Sequence, residues 1–189
     1  MNDIESLPAL LGTLTQLTHL HLANNKIRQI SPAIAQCTLL EYIDLSHNLL
    51  FHLPYEVTKL HKLQDLRINN NQIDNIPESI GELTQLTSLN LANNKIPFIP
   101  PTLGNCTNLQ LLDISNNLLF TLPSIITRLH HLEELNIGHN NLVELPILLT
   151  KLEKLRVLKA NNNDITILPN TIHLLDNLQH LNLEGVRDV

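Results

Sequence analysis

The sequence has few of the residues on which nucleic-acid and membrane proteins depend. Its 189 residues contain no tryptophan, and aromatic residues make up 3% of the chain. Stacking of single-stranded bases needs aromatic rings, and binding of a duplex needs a basic stripe, whereas this chain has a formal net charge of −6. No apolar run approaches the roughly 20 residues of a membrane-spanning helix. We therefore expect neither nucleic-acid binding nor membrane insertion.

The sequence also lacks the motifs of common catalytic sites. It has five glycines and no glycine-rich phosphate loop, no C-x-x-C pair, and no implied Ser-His-Asp set. The N-terminal residues MNDIES have neither the basic flank nor the apolar stretch of a signal peptide. We expect no catalytic residues, no cofactor and no resident metal, and a cytoplasmic location.

A strict internal period runs through the chain. Leu86 to Ile96 read L-x-x-L-x-L-x-x-N-x-I, and the same frame recurs every 23 residues. The frames start at Leu17, Leu40, Leu63, Leu86, Leu109, Leu132, Leu155 and Leu178. A period of this length predicts a solenoid, in which each repeat forms one coil that packs only on its neighbours.

Each repeat divides into a strand half and a return half. Counting from the first leucine, apolar positions 4 and 6 share one face of a strand, and position 5 points the other way. Proline is usual at position 15 and suits the first turn of a helix. The pattern predicts parallel strands on the concave face and short helical or 3₁₀ turns on the convex side.

Position 9 is asparagine in seven consecutive repeats. An asparagine amide can both donate and accept, so a stacked row of them can satisfy the backbone where it leaves the strand. If the register is right, Asn48, Asn71 and Asn94 lie in one buried file. The row consists of Asn25, Asn48, Asn71, Asn94, Asn117, Asn140 and Asn163.

The period predicts a single domain over residues 1–189. It divides into a partial repeat at 1–16, seven full repeats at 17–177 and a partial repeat at 178–189. Solenoids need polar caps at their ends, and no dedicated cap is evident. Three readings stay open: a frayed minimal array, a piece of a longer protein, or self-association through uncapped ends.

The two cysteines, Cys37 and Cys106, occupy the same repeat position three coils apart. At about 4.8 Å per strand their separation is roughly 14 Å, and a disulfide needs Cα atoms within about 7 Å. We expect two reduced, buried thiols, as in an intracellular protein.

The candidate site is formed by exposed columns at positions 3 and 5. Two histidines beside an aspartate raise the question of a zinc site, but the surface is open and shallow, which disfavours a tetrahedral metal. Tyrosine and arginine are frequent in binding hot spots, so we favour a partner-binding surface. Its residues are His19, His21, Tyr42, Asp44, Asp65 and Arg67.

Two other groups of residues are expected to be less important. Glu133 and Arg156 should pair across neighbouring strands at the rim of the face. Phe51 and Phe120 share position 12. Local packing is the expected role, and the alternative is that they are partly exposed and help to bind a ligand.

The motif L-x-x-L-x-L-x-x-N-x-[IL]-x-x-[IL]-P runs from about Asn2 to Gly185 and resembles the leucine-rich repeat family. The length and the proline resemble the intracellular repeats of Ras-pathway scaffold proteins, plant Ras-group proteins and bacterial effectors. The resemblance implies a curved right-handed α/β horseshoe that binds another protein through its concave face.

The resemblance also implies the kind of role. The chain would be a non-enzymatic signalling scaffold or an effector delivered to the host cytosol, with a small GTPase or another signalling protein as the partner. The alternative is the targeting region of a larger enzyme, such as a ubiquitin ligase or a kinase.

Overall fold

The computed structural model describes residues 2–186, in which short parallel strands form one open sheet. Each strand is three residues long, and strand order in the sheet follows the chain. The strands are β1 His19–His21, β2 Tyr42–Asp44, β3 Asp65–Arg67, β4 Ser88–Asn90, β5 Leu111–Asp113, β6 Glu134–Asn136, β7 Val157–Lys159 and β8 His180–Asn182.

Neighbouring strands pair in register with an offset of one repeat. His19 lies opposite Tyr42, and Tyr42 lies opposite Asp65. The same offset holds from β3 to β8. The middle residue of each strand from β2 to β7 is buried, and the flanking residues face the open side. The predicted curved α/β solenoid, with its strands on the concave face, is confirmed.

The return half of each coil contains one 3₁₀ helix, as the sequence predicts. The helices span Ala9–Thr13, Pro32–Gln36, Tyr55–Lys59, Glu78–Glu82, Pro101–Asn105, Ser124–Arg128, Ile147–Lys151 and Ile172–Leu174. Most are five residues long, slightly longer than is common for this tight and poorly bonded helix type.

The proline at position 15 lies just before the helix and not within its first turn, where we had placed it. Pro77 has extended backbone, with φ −67° and ψ 145°, and precedes Glu78–Glu82. Its carbonyl oxygen accepts from the Ile80 amide at 2.9 Å, so the proline begins the turn through its oxygen. Where serine replaces proline, the Ser31 hydroxyl accepts from the Ala33 amide at 3.4 Å.

Seven positions of the repeat form the core: 1, 4, 6, 11, 14, 18 and 21. In the third coil every one of these side chains is at most 3% exposed. They are Leu63, Leu66, Ile68, Ile73, Ile76, Ile80 and Leu83. Each layer packs against the layers of adjacent coils, so no coil can bury its apolar residues alone.

The position 9 asparagines form a hydrogen-bonded row that we call the asparagine ladder. In Asn140, Nδ2 donates to Ile114 O of the preceding coil at 3.0 Å and to Ile137 O of its own coil at 3.1 Å. Its Oδ1 accepts from the Leu119 amide of the preceding coil at 3.0 Å. The row is aligned as predicted, although Asn71 and Asn94 are only half-buried.

Position 8, beside the ladder, adopts a left-handed backbone that the hydrophobic pattern does not reveal. Its φ angles lie between 52° and 57° at Asn24, His47, Asn70, Asn93, Asn116, His139 and Asn162. Asparagine and histidine tolerate this conformation better than most residues, and Gly185 occupies the same position in the last coil with φ 71°. The residue type here therefore follows from the backbone turn.

Both cysteines are free and buried, as the repeat register predicts. The thiols of Cys37 and Cys106 donate to Leu11 O and Ile80 O respectively, each at 3.4 Å. Burial raises the pKa of both thiols, that of Cys106 to about 12.

Replacing Asn140 by alanine should destabilise the fold by about 1–3 kcal/mol, because buried backbone groups lose their partners. Urea unfolding followed by circular dichroism measures this change. The matched control is Asn141→Ala, since Asn141 is exposed and lies outside the ladder. Equal stability of the two variants would contradict the ladder's role.

The buried thiols should resist Ellman's reagent in the native protein at mildly alkaline pH, because burial blocks the reagent and the raised pKa lowers the fraction of thiolate. Unfolding in guanidinium should release the two thiols of Cys37 and Cys106 at once. Rapid labelling of Cys106 in the folded chain would show that its burial is wrong.

Candidate functional site

Six side chains meet on the concave face where β1, β2 and β3 lie side by side. His19, Tyr42 and Asp65 form one column at position 3. His21, Asp44 and Arg67 form the next column at position 5. Neighbours in a column are one strand spacing apart, about 4.8 Å. The structure thus brings together all six residues grouped in the sequence analysis, and we call them the six-residue patch.

The rings of the patch stack into a continuous platform. The His21 ring centroid lies 4.7 Å from that of Tyr42, and the His19 ring lies 5.9 Å from Tyr42 at an interplanar angle of 22°. The Arg67 guanidinium carbon lies 5.2 Å from the Tyr42 centroid. The cation and the rings therefore support one another, an arrangement that contributes about 0.5–1 kcal/mol at exposed sites.

A carboxylate holds the guanidinium in place. Arg67 donates from Nε to Asp65 Oδ1 at 3.2 Å and from Nη2 to Asp65 Oδ2 at 2.9 Å. This hydrogen bonding raises the pKa of Arg67 further above its ordinary value. Exposed pairs of this kind add little stability, so the main effect of the pair is to orient the guanidinium.

Asp44 is fixed by the residues that follow its strand. Its Oδ1 accepts from the Ser46 amide at 2.9 Å and from the Ser46 hydroxyl at 2.6 Å. The neighbouring Tyr42 phenol has a raised pKa, chiefly through desolvation by burial; Arg67 opposes the shift, and Asp44 and Asp65 add to it. The phenol therefore stays protonated at neutral pH, and its hydrogen bond with Asp44 also raises its pKa.

The second group forms the expected pair at the rim. Arg156 Nη1 lies 3.5 Å from Glu133 Oε2, and their side chains are 58% and 40% exposed. This distance and exposure are typical of a solvated pair that contributes little.

The patch is suited to recognition by stacking, hydrogen bonding and charge. Within residues 2–186, no group of three or more His, Cys, Asp or Glu side chains is placed to hold a metal ion. The grooves on this face are shallow, with volumes of about 270 and 60 Å³. They can receive side chains of a partner.

Sequence reasoning missed an exposed apolar surface on the return half of the coils. Phe51 and Phe120, for which we expected local packing, are 39% and 60% exposed. Ile147 and Ile167 are 69% and 73% exposed and line a groove of about 400 Å³. The sequence signal that could have revealed this surface is the presence of apolar residues outside the seven core positions.

Family models match most of the chain. A model described as a leucine-rich repeat region matches residues 32–119, a leucine rich repeat model matches residues 2–50, and a further one matches residues 131–152. The chain belongs to the leucine-rich repeat family. No curated protein sequence matches this leucine-rich repeat chain.

Solved structures of other leucine-rich repeat proteins share the fold. A Leptospira interrogans protein is 29% identical over 99% of this chain and 54% of its own, with a TM-score of 0.85. The Listeria monocytogenes internalin InlF is 25% identical over 93% of this chain and 50% of its own, with a TM-score of 0.83. This leucine-rich repeat chain thus spans about half the length of each.

A plant structure is also similar. The plant peptide hormone receptor RGFR1, solved in complex with RGF2, is 31% identical over 98% of this chain and 31% of its own, with a TM-score of 0.88. Among residues 2–186, the helices of the leucine-rich repeat chain are all too short to cross a membrane.

Tyr42 should titrate above the ordinary tyrosine pKa of 10.0, because burial disfavours its phenolate. Tyr55→Phe leaves Tyr42 as the only tyrosine, and ultraviolet absorbance of the phenolate follows the titration. The same variant unfolded in urea serves as the reference. A native midpoint at or below that of the unfolded chain would contradict the geometry of the patch.

Proposed function

We propose that this leucine-rich repeat chain is a non-catalytic module that binds a partner protein through its concave face. The observation that carries the proposal is the six-residue patch, in which Arg67 already lies over the Tyr42 ring and donates hydrogen bonds to Asp65. Tyrosine and arginine dominate binding hot spots. A patch fixed before binding loses less side-chain entropy when the partner docks.

Other features of the molecule also favour the concave face as the binding surface. The concave side chains at positions 3 and 5 are free of the core, whereas the return half is occupied by turns. The similarity to RGFR1, a receptor whose structure contains RGF2, supports a protein or peptide ligand. The proposal therefore names a polypeptide as the partner class.

We assign the cellular role of the chain from the type of repeat that it resembles. We place the chain in the cytoplasm as a signalling scaffold, with a small GTPase or another signalling protein as partner; the 23-residue repeat and the two reduced thiols support this location. Similarity to proteins of Leptospira and Listeria supports a bacterial effector acting in a host cytosol.

Two alternatives remain distinct from this role. One is the targeting region of a larger enzyme, such as a ubiquitin ligase or a kinase. The exposed leucines Leu10 and Leu181, in the first and last coils described, favour self-association. Size-exclusion chromatography over a range of concentrations tests self-association, because a concentration-independent size contradicts it.

Tyr42→Ala combined with Arg67→Glu should abolish partner capture, because it removes the centre of the stack and reverses its charge. The measurement is affinity capture from a cell lysate with mass spectrometry of the bound proteins. Circular dichroism should be unchanged, since neither residue belongs to the buried core.

The matched control combines Tyr55→Ala with Arg128→Glu, which makes the same two changes at exposed positions of 3₁₀ helices on the return half. This control should keep the captured partner. Capture that survives the concave variant and is lost in the control would place the binding surface on the opposite side of the molecule.

A further inference from the structure

The concave face has an excess of negative charge. Positions 2, 3 and 5 of the eight coils contain six acidic and three basic residues. These are Glu41, Asp44, Asp65, Asp113, Glu133 and Glu134, and Arg67, Arg156 and Lys159. Two of the bases are already paired, Arg67 with Asp65 and Arg156 with Glu133. The face therefore complements a basic partner.

Two carboxylates on this face are held in the same way. Asp113 Oδ1 accepts from the Ser115 amide at 3.0 Å and from its hydroxyl at 2.6 Å, which repeats the arrangement of Asp44 and Ser46. Neither aspartate has an ion-pair partner within 4.0 Å in residues 2–186. Both are half-buried, so a bound cation would be only partly screened by water.

A groove begins at the first carboxylate and runs toward the second. It has a volume of about 270 Å³ and reaches from Asp44 past Ser88 and Asn90 to Leu111. A smaller hollow of about 60 Å³ on the other side of Leu111 contains Asp113. Between the two aspartates the position 5 column contains Arg67 and then Asn90. The Arg67 guanidinium is turned toward Asp65 and the Tyr42 ring, and the other residues that line the groove between the aspartates are uncharged.

The two ends of the groove have matching charge. At one end Asp44 and Asp65 outnumber Arg67. At the other end Asp113 and Glu134 outnumber Lys159, and all three line the same hollow. Each end thus keeps one uncompensated negative charge, and a ligand with two separated positive charges matches this distribution.

The spacing of the carboxylates points to the shape of the ligand. Asp44 and Asp113 are three strands apart, or about 14 Å at roughly 4.8 Å per strand. An extended chain covers this distance in about four residues at roughly 3.4 Å each, and residues i and i+4 then lie on the same side.

We infer that the concave face binds an extended segment of the partner protein that has two basic side chains four residues apart. One lysine or arginine contacts Asp44 and the other contacts Asp113. Leu111 contacts the apolar stem or an intervening side chain. This inference rests on the proposed function and adds the chemistry of the partner.

The first test uses synthetic peptides with blocked ends and a fluorescent label. Each has two arginines in a serine–valine background, and the arginines are separated by i+3, i+4 or i+5. Fluorescence anisotropy should show tightest binding for i+4. The other two should bind about tenfold more weakly, because one arginine then faces away and its charged hydrogen bonds are lost.

The second test removes the charges and keeps the hydrogen bonds that Ser46 and Ser115 donate to Oδ1. At Asp113 it also removes the 3.2 Å bond that Oδ2 accepts from Asn136 Nδ2. Asp44→Asn and Asp113→Asn should each weaken binding of the i+4 peptide about tenfold, and the double variant should lose the spacing preference. Asn136 at the same repeat position already accepts from the Gly138 amide, so asparagine fits this site. Asp74→Asn, an exposed aspartate on the return half, is the matched control and should bind normally.

Equal binding of the three spacings, no binding of the i+4 peptide, or unchanged binding by the double Asp variant overturns the inference. Partner capture separates this result from the broader proposal. If the double Asp variant still captures the partner and the Tyr42 and Arg67 variant does not, the concave site stands and the two-cation ligand is wrong.

Discussion

The backbone of each coil must leave its strand and turn, and at that point its polar groups lose their partners in the sheet. The asparagine ladder supplies those partners. Asn117 donates to Ile114 O of its own coil and to Leu91 O of the coil before it, and it accepts from the Ile96 amide. No turn is satisfied within one coil, so the hydrogen bonds that close a turn also join the coils.

This constraint determines which residues are free for function. Positions 1, 4, 6, 9 and 11 belong to the core or the ladder, and a polar or larger side chain there would leave buried groups unpaired or overpacked. Positions 3 and 5 lie on the opposite side of the same strands, and their side chains are not part of the core. Their side chains can change without loss of the fold, which allows Tyr42 and Arg67 to be adjacent.

Much of the architecture could be predicted because it depends on spacing alone. A period of 23 residues fixes the register that places Tyr42 beside His19 and keeps Cys37 away from Cys106. The remaining features depend on dihedral angles that the hydrophobic pattern does not contain. These include the left-handed backbone at His47, the extended proline before most of the 3₁₀ helices and the rotamers that stack His19 on Tyr42. Side-chain geometry of this kind is settled only by three-dimensional packing.

A longer internal period lies above the 23-residue repeat. Segments that start at Cys37 and Cys106 are alike, and the fold does not require this longer repeat because every coil has the same core. Asp44 and Ser46 recur as Asp113 and Ser115 with the same hydrogen bonds. The rest of the patch differs between the copies. Leu111 replaces Tyr42 and Asn136 replaces Arg67, although the backbone pairing is the same at both places. Since the fold accepts either set, the backbone pairing does not require the stack at one end of the face.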